Sequence, residues 1–423
     1  MKEDMQQMNL LRLKIFTALL FCLSFSGLKS QPAEWPCFHG ADRTNKSNET
    51  GLLKTWPEGG PSLLFTMSGL GEGFNSTAIA GGMIFTAGKT GDQSWIYAFD
   101  MNGKQIWKKP SGDPWRVTVS WASSYNGPRS TPTYDKGIIY HLSESGKLAA
   151  YRAKDGSTVW TRDLLKDFVA EMPMYGYSES VMIDGENLYV RPGGQKGYQA
   201  CLDKKTGKTI WATTGIGGDY GYSSTIISDF EGFHQVIGSS NTCYYSMDAK
   251  TGKILWIADF MNKYEINCTD PIVNNEYVLF TSGEGKGTTL YRQKKTGNGL
   301  TVEKVWETSL MDNYFAGIML HNGYIYGCGN DSRGWFCLDF KTGKQMWKTN
   351  GEGSLTYADG MLYLYDVRGN MKLVKASPEK FEVSGEFKTP KGGDGPYWAH
   401  PVVCGGRLYL RHADKIFVYK IKI

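Results

Sequence analysis

The chain has 423 residues, 21% of them charged and 41% hydrophobic, a balance that excludes an intrinsically disordered polymer. A net charge of +5 with no long basic run excludes a nucleic-acid-binding stripe, so no nucleic-acid partner is expected. The 52 Gly and 13% aromatic residues point instead to many short strands joined by tight turns.

Taken in chain order, Arg12 and Lys14 precede an apolar run from Ile15 to Phe25, and small and polar residues follow up to Ser30. A basic, then apolar, then small-residue order is that of a cleavable signal peptide. Residues 1–30 are therefore expected to be a leader and the protein to be periplasmic or secreted. The run is too short for an ordinary membrane-spanning helix, and no later stretch is long and apolar enough to act as an anchor. Cys22 lies in that run; the other seven of the eight Cys are an odd number and imply no disulfide framework, although one or two bridges stay open. No Cys or His spacing resembles a zinc site.

Residues 31–61 are expected to precede the main domain and pack across one of its faces, and residues 62–423 to form that domain. GPSLLFTMS supplies one strand ending near Phe65. Two signatures then repeat. The first is a strand, a tight turn with Gly, and a Trp, ending at Trp107, Trp160, Trp211, Trp256, Trp306 and Trp347. All copies but one place Trp four residues after Gly; YRQKKTGNGLTVEKVW, ending at Trp306, carries an insertion. Asp opening the turn accepts hydrogen bonds from the backbone ahead, and Gly takes the positive φ, so the element is a β-hairpin with Trp on its returning strand. Burying one such Trp stabilises by at most about 4–6 kcal/mol, which makes the six tryptophans structural blade residues. Cys201 and Cys337 share a repeat position with Ala98 and Ala150, as small buried residues.

The second signature is a turn followed by an aromatic and β-branched strand: AGGMIFT, DKGIIYH, DGENLYV, EGFHQVIG, NNEYVLF, HNGYIYG, ADGMLYL and CGGRLYL, eight copies in all. Each follows a small-residue strand, so every forty to fifty residues hold four strands, the period of a β-propeller blade. The last copy has only three strands before the chain ends, and the strand near Phe65 completes it. The expected fold is an all-β, eight-bladed β-propeller of four-stranded antiparallel blades, closed by an N-terminal strand; seven blades is the alternative. The seventh blade has Phe387 where Trp would stand.

The A-x-D-x-x-T-G-K-x-x-W element resembles the tryptophan-docking repeat of the quinoprotein alcohol dehydrogenase superfamily. The opening Trp35-Pro36-Cys37-Phe38-His39-Gly40 resembles the start of secreted bacterial PQQ-like β-propeller proteins. The resemblance covers nearly all of the chain after the leader. It implies either a non-catalytic scaffold, like the propeller of the outer-membrane protein assembly machine, or a dehydrogenase holding pyrroloquinoline quinone (PQQ) and Ca2+ at the centre of one face. The chain has neither the adjacent cysteine pair that covers the quinone in many of the enzymes nor a haem attachment motif.

Residues just before the innermost strands converge on one face of a propeller, where a ligand would bind. The channel-mouth candidates are Arg129, Tyr177, Glu179, Tyr222, Asp270, Tyr314, Trp398 and His400. Arg129 suits a carboxylate or phosphate, Glu179 and Asp270 a Ca2+ ion or acid/base work, and His400 a proton relay. Trp115, Trp121 and Tyr125 form an aromatic loop before the second inner strand. The same residue types also line empty, water-filled channels. The leading expectation is a non-catalytic binding or scaffold propeller of the cell envelope without a cofactor, acting as a monomer on an envelope protein or a glycan. A PQQ and Ca2+-dependent alcohol or sugar dehydrogenase and a glycan-binding or glycan-processing propeller are the alternatives.

Overall fold

The computed structural model describes residues 33–116, 125–314 and 317–423; Trp121 and the leader lie outside them. Among the described residues, the regular structure apart from the short helix Leu164–Phe168 is β. Among the same residues it forms eight sheets, each with four antiparallel strands that are consecutive in sequence save the closing strand of the eighth. The first strands of the blades are Ala78–Ala80, Thr133–Asp135, Met182–Asp184, Ile226–Phe230, Ile272–Asn274, Met319–His321, Gly353–Ala358 and Val402–Cys404. First strands of neighbouring blades approach one another, so they are the inner strands around the central channel. The eighth blade is closed by Leu63–Met67, which runs antiparallel to Lys415–Lys420 with Phe65 opposite Val418. Eight blades, not seven, make the ring.

Burial explains why these segments become these strands. Second and third strands are covered on both sides, as in Met361–Asp366, where Met361 to Tyr365 are all buried. Outer strands alternate, and in Gln105–Gly112 it is Trp107 that turns inward. That inward Trp reaches the next blade. Trp107, Trp160, Trp211 and Trp306 donate from Nε1 to backbone oxygens of the following blade at 2.8–3.1 Å. Their indoles lie on turn glycines of that blade. A Cβ at Gly156, Gly207, Gly252 or Gly343 would stand 2.6–2.8 Å from an indole atom, and each of the four has φ near +70°. The Gly and Trp of the repeat are thus the two halves of one inter-blade joint. Phe65 makes the closing joint, because a Cβ on Gly103 would fall 2.6 Å from its ring.

The turn Asp acts as its chemistry requires. Oδ1 of Asp203, Asp248 and Asp339 accepts from the amide and hydroxyl of the Thr three residues on, at 2.6–2.9 Å. The insertion before Trp306 makes no loop of its own. It lengthens two strands, Gly287–Thr296 and Gly299–Thr308, to ten residues each. Gln293 on that extension then accepts the Nε1 hydrogen of Trp256 at 3.1 Å.

Candidate functional site

The channel is not open. Residues 35–47 do not lie across a face of the ring; they insert among its inner strands. Trp35 exchanges backbone hydrogen bonds with Ile79 of blade 1 at 2.7 and 2.8 Å, and Pro36 accepts from Tyr134 of blade 2 at 2.8 Å. Arg43 Nη2 donates to the Val181 carbonyl at the start of blade 3, at 2.6 Å. Lys46 Nζ donates to Leu320 of blade 6 at 3.2 Å. Asn45 Nδ2 donates to Leu355 of blade 7 at 2.5 Å, and Lys46–Ser47 adds a parallel fifth strand to that blade. So short a segment can touch this many inner strands only from inside the ring. Gly40 lies against the Trp35 indole, with φ at +87°.

The apex of this plug reaches the face where the inner strands begin. His39 Nδ1 lies 3.5 Å from Asp270 Oδ2, and its Nε2 shares a 3.0 Å hydrogen bond with His400 Nδ1. Phe38 stacks on His39 with centroids 3.7 Å apart. Gly317 leaves room for the apex, since a Cβ there would fall 2.7 Å from His39 Nε2. Asp270 Oδ1 accepts from the Ser224 amide at 2.5 Å.

Above the apex lies an arc of half-buried aromatic residues. Trp398 stacks on Tyr125 with centroids 5.0 Å apart and meets Phe74 at 5.2 Å. The Arg129 guanidinium lies over Phe74 at 5.6 Å and over Trp115 at 5.5 Å. It donates to the carbonyls of Tyr175 at 2.9 Å and Tyr125 at 2.6 Å, tying two segments of the rim together. Tyr175 meets Tyr222 edge-on at 5.7 Å. Burial lowers the Arg129 pKa, an effect that Glu144, Tyr222 and Cys268 oppose. Burial also raises the phenols of Tyr222 and Tyr314 and pushes the Cys268 thiol up to about 12. At neutral pH this arc therefore carries one cation, neutral phenols and a neutral thiol.

Of the residues expected at the mouth, Arg129, Tyr222, Tyr314 and Trp398 are half-buried and share the rim, while Asp270 and His400 lie beneath with the plug. Tyr177 and Glu179 are fully buried instead. The Tyr177 hydroxyl donates to Pro192 at 2.8 Å. Glu179 Oε2 accepts from the Arg191 amide at 2.6 Å, and Oε1 accepts from Thr225 at 2.5 Å while facing the Arg191 guanidinium at 3.7 Å. Among the described residues, no group of three His, Cys, Asp or Glu is arranged to hold a metal ion.

Sequence reasoning overlooked His39, Arg191 and Arg411. His39 stands inside the WPCFHG opening; Arg191 directly follows the aromatic second strand Asn187–Val190, in NLYVR, and Arg411 lies within the second strand Arg407–His412, in RLYLR. Arg191 is wholly buried and donates to Gly221 at 2.6 Å and Ser223 at 2.7 Å. Desolvation opposes its charge, but Tyr245 and Glu179 more than compensate and hold its pKa above the ordinary value. Arg411 donates to Ala87 at 2.5 Å and to Asn75; burial lowers its pKa to about 10.

Residues 92–349 match the family model described as outer membrane protein assembly factor BamB. No curated protein sequence matches the chain. Among solved structures, BamB from Moraxella catarrhalis superposes with a TM-score of 0.60 at 14% identity, covering 85% of this chain and 100% of that one. Quinohemoprotein alcohol dehydrogenase from Comamonas testosteroni gives 0.63 at 11% identity, over 91% of this chain and 80% of that one. Sqt1 from Saccharomyces cerevisiae gives 0.58 at 10% identity, over 86% and 100%. At such identities the likeness concerns the fold alone.

Proposed function

Because the chain belongs to the PQQ-like β-propeller family, we propose that it is an exported, non-catalytic binding propeller of the cell envelope. It docks a protein partner on the face where the inner strands begin. The leader-like residues 1–30 support export. The family model's description, an outer membrane assembly factor, supports a protein partner.

The observation that carries this reading is the plug. Phe38 and His39 occupy the channel directly below the aromatic arc, so the arc forms a shallow surface rather than the mouth of a deep pocket. Tyr, Trp and Arg on a rigid frame are the side chains that anchor protein interfaces. The PQQ and Ca2+ of the family's enzymes do not fit these residues. The channel centre is filled by the chain itself. Both Glu179 oxygens are engaged by Arg191 and Thr225, and Asp270 is engaged by Ser224 and His39.

A photo-crosslinking residue at Trp398, compared with one at the exposed outer-strand Ile106, tests this in intact cells. A discrete envelope-protein adduct is expected at Trp398 only, weakened by Arg129→Glu. No adduct at Trp398, or equal adducts at both positions, would overturn the docking face. A saturable melting shift requiring both PQQ and Ca2+ would replace this reading with the dehydrogenase.

A further inference from the structure

Trp398 of the aromatic arc is carried by the connection from blade 7 to blade 8. Residues 391–395 of that connection read Lys-Gly-Gly-Asp-Gly and are exposed except for Gly392. Three glycines in five residues give this stretch no rigidity of its own. One side chain holds it: His412, the last residue of the second strand of blade 8, Arg407–His412. The Gly392 amide donates to His412 Nδ1 at 2.8 Å, and His412 Nε2 donates to the Gly395 carbonyl at 2.9 Å. Tyr397, next to Trp398, stacks on the same imidazole with centroids 3.6 Å apart and planes 9° apart. The Asp414 amide adds a bond to the Gly392 carbonyl at 3.2 Å. Only Gly fits at 392, because a Cβ there would fall 1.9 Å from the His412 carbonyl oxygen.

These bonds fix the protonation state. An amide only donates and a carbonyl only accepts, so the imidazole is neutral with its hydrogen on Nε2. A second proton, on Nδ1, would face the Gly392 N–H and end that bond. The groups around the buried ring offer such a cation little. Lys391 and Asp394 of the loop act on it with opposite sign. The phenols of Tyr397 and of Tyr365, edge-on to Tyr397 at 5.7 Å, are kept neutral by burial. On the turn that follows, the Asp414 carboxylate is engaged by the amides of Gly69 at 3.1 Å and Gly71 at 2.7 Å, and Lys415 lies against Gly392. Arg411 points away, to Asn75 and Ala87. Desolvation accordingly lowers the His412 pKa from its ordinary value.

We infer that His412 is an acid-sensitive latch of the docking face. Neutral, it pins residues 391–395 and seats Tyr397 and Trp398 in the arc. Protonated, the imidazole leaves the Tyr397 ring for water, the loop and Trp398 come free, and the partner is released. This inference rests on the docking role proposed for the arc. A lowered histidine pKa sets the direction: the latched state is fully stable above about pH 6.5 and weakens as the pH falls through the lower pKa of His412.

A single fluorotryptophan at position 398, followed by fluorine NMR of the intact protein from about pH 7.5 to about pH 4.5, tests the latch without any partner. One transition is expected, with its midpoint below about pH 6.5, to the signal of a mobile, hydrated indole. A fluorotryptophan at Trp107, in the joint between blades 1 and 2, should keep its shift throughout. His412→Gln can donate and accept but never carry charge, so it should abolish the transition although His39 and His400 remain. Gly392→Ala, which changes no titratable group, should give the acid signal already at neutral pH. No transition in the parent, the same transition in His412→Gln, a simultaneous shift at Trp107, or a parent-like signal in Gly392→Ala would each overturn the latch. The crosslink at Trp398 should fall about tenfold one pH unit below the midpoint. A crosslink that keeps its yield through the transition would overturn the release, whereas no crosslink even at neutral pH would remove the docking reading alone.

Discussion

The charged residues divide by what surrounds them. Glu179 reads in the sequence as a metal or acid/base candidate, yet in the fold it is the counter-ion and backbone acceptor of a fully buried arginine. Removing one partner of a buried pair leaves the other charge uncompensated, which costs about 3–5 kcal/mol. Glu179→Gln is therefore expected to lower the urea midpoint by a corresponding amount in Ca2+-free buffer, with no recovery when Ca2+ is added. If the parent and variant melt alike without Ca2+ and differ only with it, Glu179 is a metal ligand instead. The sequence revealed that a carboxylate stands here; its partner lies twelve positions along the chain, just past the end of the second strand Asn187–Val190, where strand pairing alone decides the contact.

At the scale of the element, the repeat was legible because it is a joint whose two halves recur in every copy. Gly207 has φ +69° and faces the Trp160 indole, whereas Gly215 has φ +83° and open space where a Cβ would go. Gly207→Ala adds overpacking to backbone strain, and Gly215→Ala adds strain alone. The first should destabilise by about 1–3 kcal/mol more than the second, read from thermal melts of the two variants. Equal losses would mean that the indole does not rest on the turn. The inserted residues before Trp306 show the limit of such reading. Their spacing marks an irregular copy, but only strand pairing decides that they extend a hairpin and bring Gln293 to Trp256.

At the scale of the whole molecule, the ring is closed by the pairing of Leu63–Met67 with Lys415–Lys420. Phe65 packs on Gly103 and its strand completes blade 8, so its half-buried ring joins blade 8 to blade 1 beside Arg411 and an apolar cluster shared by the two blades. Phe65→Ala should cost about 2–3 kcal/mol, less than a fully buried Phe. Its effect should be local: amides of Lys415–Lys420 should exchange faster, while those of blades 3 to 5 keep their protection. Uniform acceleration around the ring would show that closure supports every blade equally. The plug is the other feature of this scale, for its few residues join seven blades.

The blade count, the strand order and the closing strand could be read from residues alone, because turn glycines, alternating strands and docking tryptophans are local devices repeated at a fixed period. The aromatic character of the mouth was legible for a similar reason: the residues before each inner strand share one place in the repeat. What only the tertiary structure decided was the course of residues 35–47, which have no repeat to align with and whose partners lie as far away as His400, 361 positions along the chain. It likewise decided the fate of each charge. Arg129 is spread over aromatic rings, Glu179 is locked to Arg191, and Arg43 keeps two idle donors, because burial and pairing depend on which blades close around a side chain and not on its neighbours in sequence.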